Sequence, residues 1–474
     1  MKFDFSGMNA IYKVEIFLNN DQTDGEKMTE IAIPLKEIGR IRPRSANEIA
    51  GSLFTLGCEV LDRDFADYDE YKEYLVPLGI KTIRLQSGWA KTEKVPGTYD
   101  FAWLDHIIDD ARSRGLNILL ETDYGNPAYP GGGGFDLAGG FPESEEALAA
   151  WDRWVEAMAR RYAGKVRDWA MWNEPDLPGT NRTIPQIVDF NIRTMKIIRR
   201  VIPDARIAGL SLAQTGDNFD EYLALLQEKN ELESFDWIIY HGYQPNPDRA
   251  YDTGNRLKNF LARRTSKVKV RQGENGCPSE RTNRFALRGV EWTELSQAKW
   301  DLRRFIGDIA NGVETSVFTI CDFNHIGREI NRKGLLRAEE DHKVVRKKIA
   351  YQAIQHMTSI FDNSLQPVSP DRAAVFFKRN CALFPFAETS GRGNLLAYWD
   401  RSDVPGNEVS PESAEILFKD FPFDEPVLVE MISGKVYGIP ADRIGSEGGY
   451  VVFREMPVLD TPFLIAEKRL LHLA

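Results

Sequence analysis

Between residues 53 and 361 the chain repeats one pattern eight times, a short strand-like run followed by a stretch with helical periodicity. The runs cover residues 53–60, 81–86, 116–123, 166–173, 206–212, 236–241, 267–273 and 315–321. Strict alternation over roughly 300 residues predicts parallel strands joined by crossover helices. Eight such units predict a closed (β/α)8 TIM barrel, an α/β fold, in preference to an open doubly wound sheet. No Gly-x-Gly-x-x-Gly follows the first run, so the dinucleotide-binding alternative lacks its main signature.

The helical stretches carry start and stop signals. Trp103, Leu104, Ile107, Ile108 and Ala111 recur at helical spacing between Asp100, a candidate N-cap, and Gly115. Leu148, Trp151, Val155, Met158 and Tyr162 form a second stripe, opened by Ser144 and closed by Gly164. Pro185 opens a third helix, where its missing N–H costs nothing. The run of charge at 343–348 reads as a solvated helix face.

A chain of 474 residues is too long for one ordinary core. After residue 361 the pattern changes to short β-rich runs at 373–378, 395–399, 414–418, 426–432 and 450–454, broken by turn residues such as Ser433-Gly434. This predicts an all-β sandwich at 362–474 behind a catalytic barrel at 51–361. Residues 1–50 are also β-rich, at 10–18 and 29–35, and are expected to pack on the barrel or the sandwich. No long low-complexity linker separates the parts, so rigid packing is expected.

The net charge of −11 disfavours nucleic acid or an anionic membrane as partner, since both call for a basic face. No apolar run approaches the ~20 residues of a membrane span. The opening Met1-Lys-Phe-Asp-Phe-Ser-Gly lacks an apolar secretory core. The expected location is cytoplasmic, or exported if a signal segment has been removed. Cysteines 58, 277, 321 and 381 have no zinc spacing and are expected to be reduced and mostly buried. The six histidines form no metal-binding motif, so neither metal nor cofactor is expected.

In a barrel of this kind the active site lies at the carboxyl ends of the strands. The first strand delivers Glu59 there, the second Arg84, Gln86 and Trp89, and the third Asp123, Tyr124 and Asn126. The fourth brings Trp172, Asn173 and Glu174, the sixth His241 and Tyr243, the seventh Glu274 and Asn275, and the eighth Asp322 and Asn324. Carboxylates, amides and aromatics together suit a sugar. Glu174, in Trp-Asn-Glu-Pro, and Glu274, in Gln-Gly-Glu-Asn-Gly, each end a strand and are followed by a chain-breaking residue. Two carboxyl groups facing each other across a cleft are the requirement for cleaving a glycosidic bond. Glu280 and Glu291, in the loop after the seventh strand, are the competitors of Glu274. Tyr124-Gly-Asn-Pro-Ala-Tyr-Pro-Gly-Gly-Gly-Gly134 reads as a flexible wall or lid.

Trp-Asn-Glu-Pro after the fourth strand, with a second Glu ending the seventh, resembles glycoside hydrolase clan A. The stretch Ala149-Ala-Trp-Asp-Arg-Trp…Arg-Arg-Tyr…Trp-Asn-Glu-Pro-Asp176 looks most like the family 39 β-xylosidase group. That resemblance implies Glu174 as acid/base, Glu274 as nucleophile, Asn173 on the sugar 2-hydroxyl, and Tyr243 and Arg84 orienting the nucleophile. The function it implies is that of a retaining β-glycoside hydrolase on an oligosaccharide or glycoside, and the long loops after the third and seventh strands favour exo action. The substrate-binding candidates are Arg84, Trp89, Tyr124, Asn173, His241, Tyr243, Glu59 and Asn324. Alternatives are an endo-acting hydrolase of the clan and a catalytically dead carbohydrate-binding barrel. An aldolase would need a strand-end Lys, which is missing. A homo-oligomer through the β-domain is compatible with the sequence.

Overall fold

The computed structural model describes residues 30–474 apart from 138, 179, 181, 215, 217, 326–328 and 420–421. The expected strand at 10–18 lies outside the described residues. Eight parallel strands follow in order: β1 Phe54–Gly57, β2 Thr82–Gln86, β3 Asn117–Thr122, β4 Asp168–Met171, β5 Arg206–Leu212, β6 Trp237–Tyr240, β7 Lys269–Gln272 and β8 Thr315–Val317. From β1 to β7 each strand pairs with the next, and β1 also pairs with β8. Between β7 and β8 the ring is completed by the bridges Arg271–Glu314 and Asn275–Val317. The result is a TIM-like barrel.

The helices follow the apolar stripes. Ala102–Ser113 buries Leu104, Ile107, Ile108 and Ala111. Its N-cap is Phe101, one residue later than expected, and the Asp100 carboxylate accepts from the Ala102 N–H. Ser144 caps Glu145–Tyr162 by accepting from the Ala147 N–H. After β1 the crossover is only Tyr68–Tyr71 and three 3-10 turns. After β8 the chain departs from plain alternation. It forms the pairs Phe323–His325 with Glu329–Asn331, and Leu336–Ala338 with Val344–Lys347, before helix Ile349–Ile360. The charge run at 343–348 is therefore strand, not helix face. Val344 and Val345 favour an extended backbone, and Lys348 is fully buried on Asp322 at 2.6 Å.

The C-terminal strands form two antiparallel sheets. The larger has the order Lys36–Arg40, Lys435–Gly438, Pro426–Glu430, Phe463–Glu467, Asn394–Asp400, Cys381–Glu388, Leu365–Pro367. The smaller has the order Ala373–Phe376, Glu412–Lys419, Tyr450–Val458, Ile444–Glu447. Residues before β1 serve both parts. Lys36–Arg40 extends the large sheet, and Ala46 and Ile49 offer carbonyls to Lys81 at the foot of β2. We propose the boundary near residue 361, where helix Ile349–Ile360 ends.

Buried charges tie the sandwich to helix Glu294–Ala310. Lys299 reaches Asp460 at 2.6 Å. Asp248 accepts from Arg303 Nε at 2.8 Å and from Trp399 Nε1 at 2.8 Å. Asp248→Ala would leave a buried guanidinium uncompensated and an indole N–H orphaned. The expected cost is about 3–5 kcal/mol, read as a fall in the urea midpoint. An unchanged midpoint would contradict the structural role assigned to this pair.

Candidate active site

The residues delivered by the strand ends meet in a cleft of about 680 Å³ lined by Glu174, Glu274, Tyr243, Phe318, Asn331 and Lys333, among others. One oxygen of Glu174, one of Glu274 and a ring nitrogen of His241 all lie within 4.8 Å of one another. Each carboxylate has its own partners.

Glu274 is held for ionisation. Its Oε2 accepts from Arg84 Nη1 at 3.0 Å and its Oε1 from the Tyr243 hydroxyl at 3.0 Å. Burial alone would raise its pKa. The positive charges of His241 and Arg84, with the two hydrogen bonds, outweigh burial and hold it below the usual range.

Glu174 is held for protonation. Burial raises its pKa, against the opposing hydrogen bond to His241, with Glu274 and Asp176 adding to the rise. Its Oε1 lies 2.7 Å from His241 Nδ1. Burial pulls His241 down, but the charges of Glu274 and Glu174 raise it overall, so the Glu174–His241 pair retains a proton. The backbone that presents Glu174 is unusual. Trp172, Glu174, Leu210 and Ser211 all have positive φ, at 29°, 48°, 72° and 39°. For non-glycine residues such conformations cost about 1–3 kcal/mol each and concentrate at functional sites. They belong to one junction: the β5–β6 register shifts between Gly209 and Leu212, and the Ser211 carbonyl accepts from the Glu174 N–H at 3.0 Å.

Arg84 is the hub beneath. Its two terminal nitrogens reach Glu59 at 2.8 Å, Glu121 at 2.6 Å, Asn173 Oδ1 at 2.7 Å and Glu274. Burial, opposed by Arg84 and assisted by Glu274 and Glu121, pushes Glu59 up to about 7. Asn173 Nδ2 donates to the Tyr124 hydroxyl at 3.0 Å, which also accepts from Gln86. Eight of the ten catalytic and substrate-binding candidates thus share one network: Glu59, Arg84, Tyr124, Asn173, Glu174, His241, Tyr243 and Glu274.

Trp89 and Asn324 stand apart. Trp89 is fully buried, stacked between Tyr129 and Trp154, with its N–H on Glu93. It is a core side chain, because the short helix Trp89–Thr92 turns it under the wall of the barrel. Asn324 lies in a hairpin strand opposite Ile330 and does not line the cleft. Asp322, also a strand-end candidate, is spent on Lys348 and Arg332. Glu280 is ion-paired with Arg337, and Glu291 is bonded to Arg281 on the exterior. The glycine-rich loop is knit by its own backbone: the Asn126 N–H donates to the Gly132 carbonyl, and the Gly134 N–H to the Gly139 carbonyl. A Cβ at Gly132 would sit 2.1 Å from the Asn126 carbonyl, so glycine is required there. It forms a folded wall from which Leu137 enters the cleft.

Two site residues escape the sequence reading. Glu121 lies inside an apolar strand, Asn117-Ile-Leu-Leu-Glu-Thr122, where a lone carboxylate is itself a signal. Lys333 sits in an ordinary-looking turn. Glu174, His241 and Glu274 have donor types that suit a metal. Arg84 on Glu274 and the proton between Glu174 and His241 already supply the positive charge a cation would bring.

The structure is similar to a family 39 glycoside hydrolase from Bacteroides cellulosilyticus WH2, with TM-score 0.63 and 16% identity over 88% of this chain and 81% of that one. It is also similar to a β-xylosidase from Caulobacter crescentus CB15, with TM-score 0.56 and 13% identity over 90% and 97% of the two chains. A family 30 endoxylanase from Clostridium papyrosolvens C71 matches with TM-score 0.54 and 12% identity over 91% and 98%. These likenesses show a shared fold, a TIM-like barrel joined to an antiparallel β-domain. In sequence, the model of the family 42 β-galactosidases matches residues 64–132. A stretch of 61 residues is 33% identical to β-galactosidase BgaA of Clostridium cellulovorans, covering 13% of this chain and 9% of that protein. The family 42 match includes Arg84 and Tyr124 but neither Glu174 nor Glu274. It falls on the part of the barrel that carries Arg84 and Glu121, beneath Glu274.

Proposed function

We propose that this chain is a retaining β-glycoside hydrolase. The observation that carries the reading is the pair Glu174 and Glu274, with one oxygen of each within 4.8 Å of the other and pKa values displaced in opposite directions. Retaining enzymes place their carboxyl groups ~5–5.5 Å apart and inverting ones ~6.5–9.5 Å. At the short spacing no water fits between Glu274 and the anomeric carbon.

Glu174 gives its proton to the leaving oxygen while Glu274 attacks the anomeric carbon. The glycosyl ester on Glu274 is then opened by a water whose proton passes to Glu174. Tyr243 and Arg84 hold the attacking carboxylate, and Asn173, locked between Arg84 and Tyr124, faces the sugar 2-hydroxyl. Exo action is supported by the walls: Leu137 and Leu177 stand on one set of loops and Phe285 and Ala286 on another, around a single pocket. The structures of similar fold include a β-xylosidase and an endoxylanase. Hydrolysis of a panel of 4-nitrophenyl β-glycosides, followed by proton NMR of the first-formed sugar, tests the reading. The β-anomer is expected, and single residues are expected from the end of an oligosaccharide. An α-anomer as first product would overturn the retaining mechanism, and internal cleavage would overturn exo action.

A further inference from the structure

Lys333 is only 2% exposed, yet it lines the cleft with Glu174 and Glu274. The other buried lysines among the described residues are ion-paired: Lys299 with Asp460, Lys348 with Asp322 and Lys435 with Glu37. Lys333 has no such partner among the described residues. Its ammonium lies instead 5.6 Å from the Tyr243 ring and 5.7 Å from the Phe285 ring, held by two aromatic faces. A buried cation without a counter-ion is costly. Burial accordingly draws its pKa down to about 8, with Cys277, Glu274 and Glu174 opposing, which still leaves it largely charged at neutral pH.

We propose that Lys333 binds a carboxylate on the substrate, so that the natural substrate is a glycoside carrying a uronic acid. This rests on the hydrolase reading of the same cleft. The carboxylates already in the cleft are committed elsewhere, Glu274 to Arg84 and Tyr243 and Glu174 to His241. The missing counter-charge therefore comes with the ligand. Without Lys333, two acidic side chains would repel an acidic sugar. The cation is also placed in advance. The Lys333 N–H donates to Asn331 Oδ1 at 3.2 Å, and its carbonyl accepts from Gln297 at 3.3 Å. At Gly334 a Cβ would lie 2.1 Å from the Asp322 nitrogen, which fixes the turn against the end of the barrel. The Asn331 amide, its oxygen taken by that N–H, has its NH2 without a hydrogen-bond acceptor among the described residues, and Gln244 lines the same cleft. An ammonium with neighbouring amides suits the two oxygens of a carboxylate.

The test pairs each uronate with its neutral counterpart on the full chain. Binding of D-glucuronate and D-galacturonate is measured by ligand-observed NMR titration beside D-glucose and D-galactose. Hydrolysis of the four corresponding 4-nitrophenyl β-glycosides is followed in parallel. At least one uronate is expected to bind about tenfold or more tightly than its neutral partner. That preference is expected to vanish in Lys333→Met, persist in Lys333→Arg, and fall as the pH rises above about 8, where the ammonium loses its proton. No uronate preference in the unaltered chain would overturn the proposal. So would an undiminished preference in Lys333→Met with an unchanged melting temperature, which would leave Lys333 as a tuner of Glu174 alone. Hydrolysis of neutral glycosides without uronate preference sinks the subsite and spares the hydrolase. Lys333-dependent uronate binding without hydrolysis of any glycoside does the reverse.

Discussion

Glu274→Ala is expected to lower kcat/KM by about 10⁴-fold or more on every glycoside, whatever its leaving group. The loss is large because the nucleophile acts as one unit with the acid, and removing one member forfeits most of the concerted gain. The side chain is nearly buried, and its charge is balanced by Arg84. Arg84 keeps Glu59 and Glu121 after the change, so the protein is expected to stay folded. A melting temperature close to that of the parent, with activity gone, is the predicted combination. Retention of more than a few per cent of activity would remove Glu274 from the reaction.

Glu174→Ala is expected to act selectively. Poor leaving groups need the proton, so alkyl glycosides and oligosaccharides are expected to lose about 10²–10⁴-fold. Activated aryl glycosides leave unaided and are expected to lose less in the first step. Azide, which needs no base, is expected to restore turnover and give a β-glycosyl azide. The pH profile of the parent supplies a second check. Glu174 works protonated and its pKa is raised, so the rate falls as pH rises through it. Glu274 works ionised and its pKa is lowered, so the rate falls as pH drops through it. The result is a bell, and in Glu174→Ala its alkaline limb is expected to vanish. Uniform loss on all substrates, with no azide rescue and an unaltered bell, would contradict the acid/base role.

What the sequence made legible follows the range of the forces involved. The eight strands could be read because each is a short local pattern between breakers, and β2, β5 and β8 begin within a residue of the expected positions. The strand ends then point to the candidate cleft, since the barrel carries side chains at those ends into one mouth. Glu174, Glu274, Arg84, Asn173 and Tyr243 come together there by that rule. Trp89 was misplaced because its neighbours Trp151 and Trp154 come from a helix some sixty residues later, and no local pattern shows that stack. The charge run at 343–348 misled because Lys348 is neutralised by Asp322, a tertiary contact. Lys333 was invisible for the same reason. A lysine in a turn is ordinarily solvated, and tertiary neighbours such as Tyr243 and Phe285 cover this one.

The most direct measurement is capture of the intermediate. A 2-deoxy-2-fluoro β-glycoside with a good leaving group slows release more than attachment, so a covalent glycosyl-enzyme accumulates. Proteolysis and mass mapping are expected to place one sugar on Glu274, in the peptide containing Gln272-Gly-Glu-Asn-Gly276. A label on Glu280, Glu291 or any other side chain would contradict the assignment.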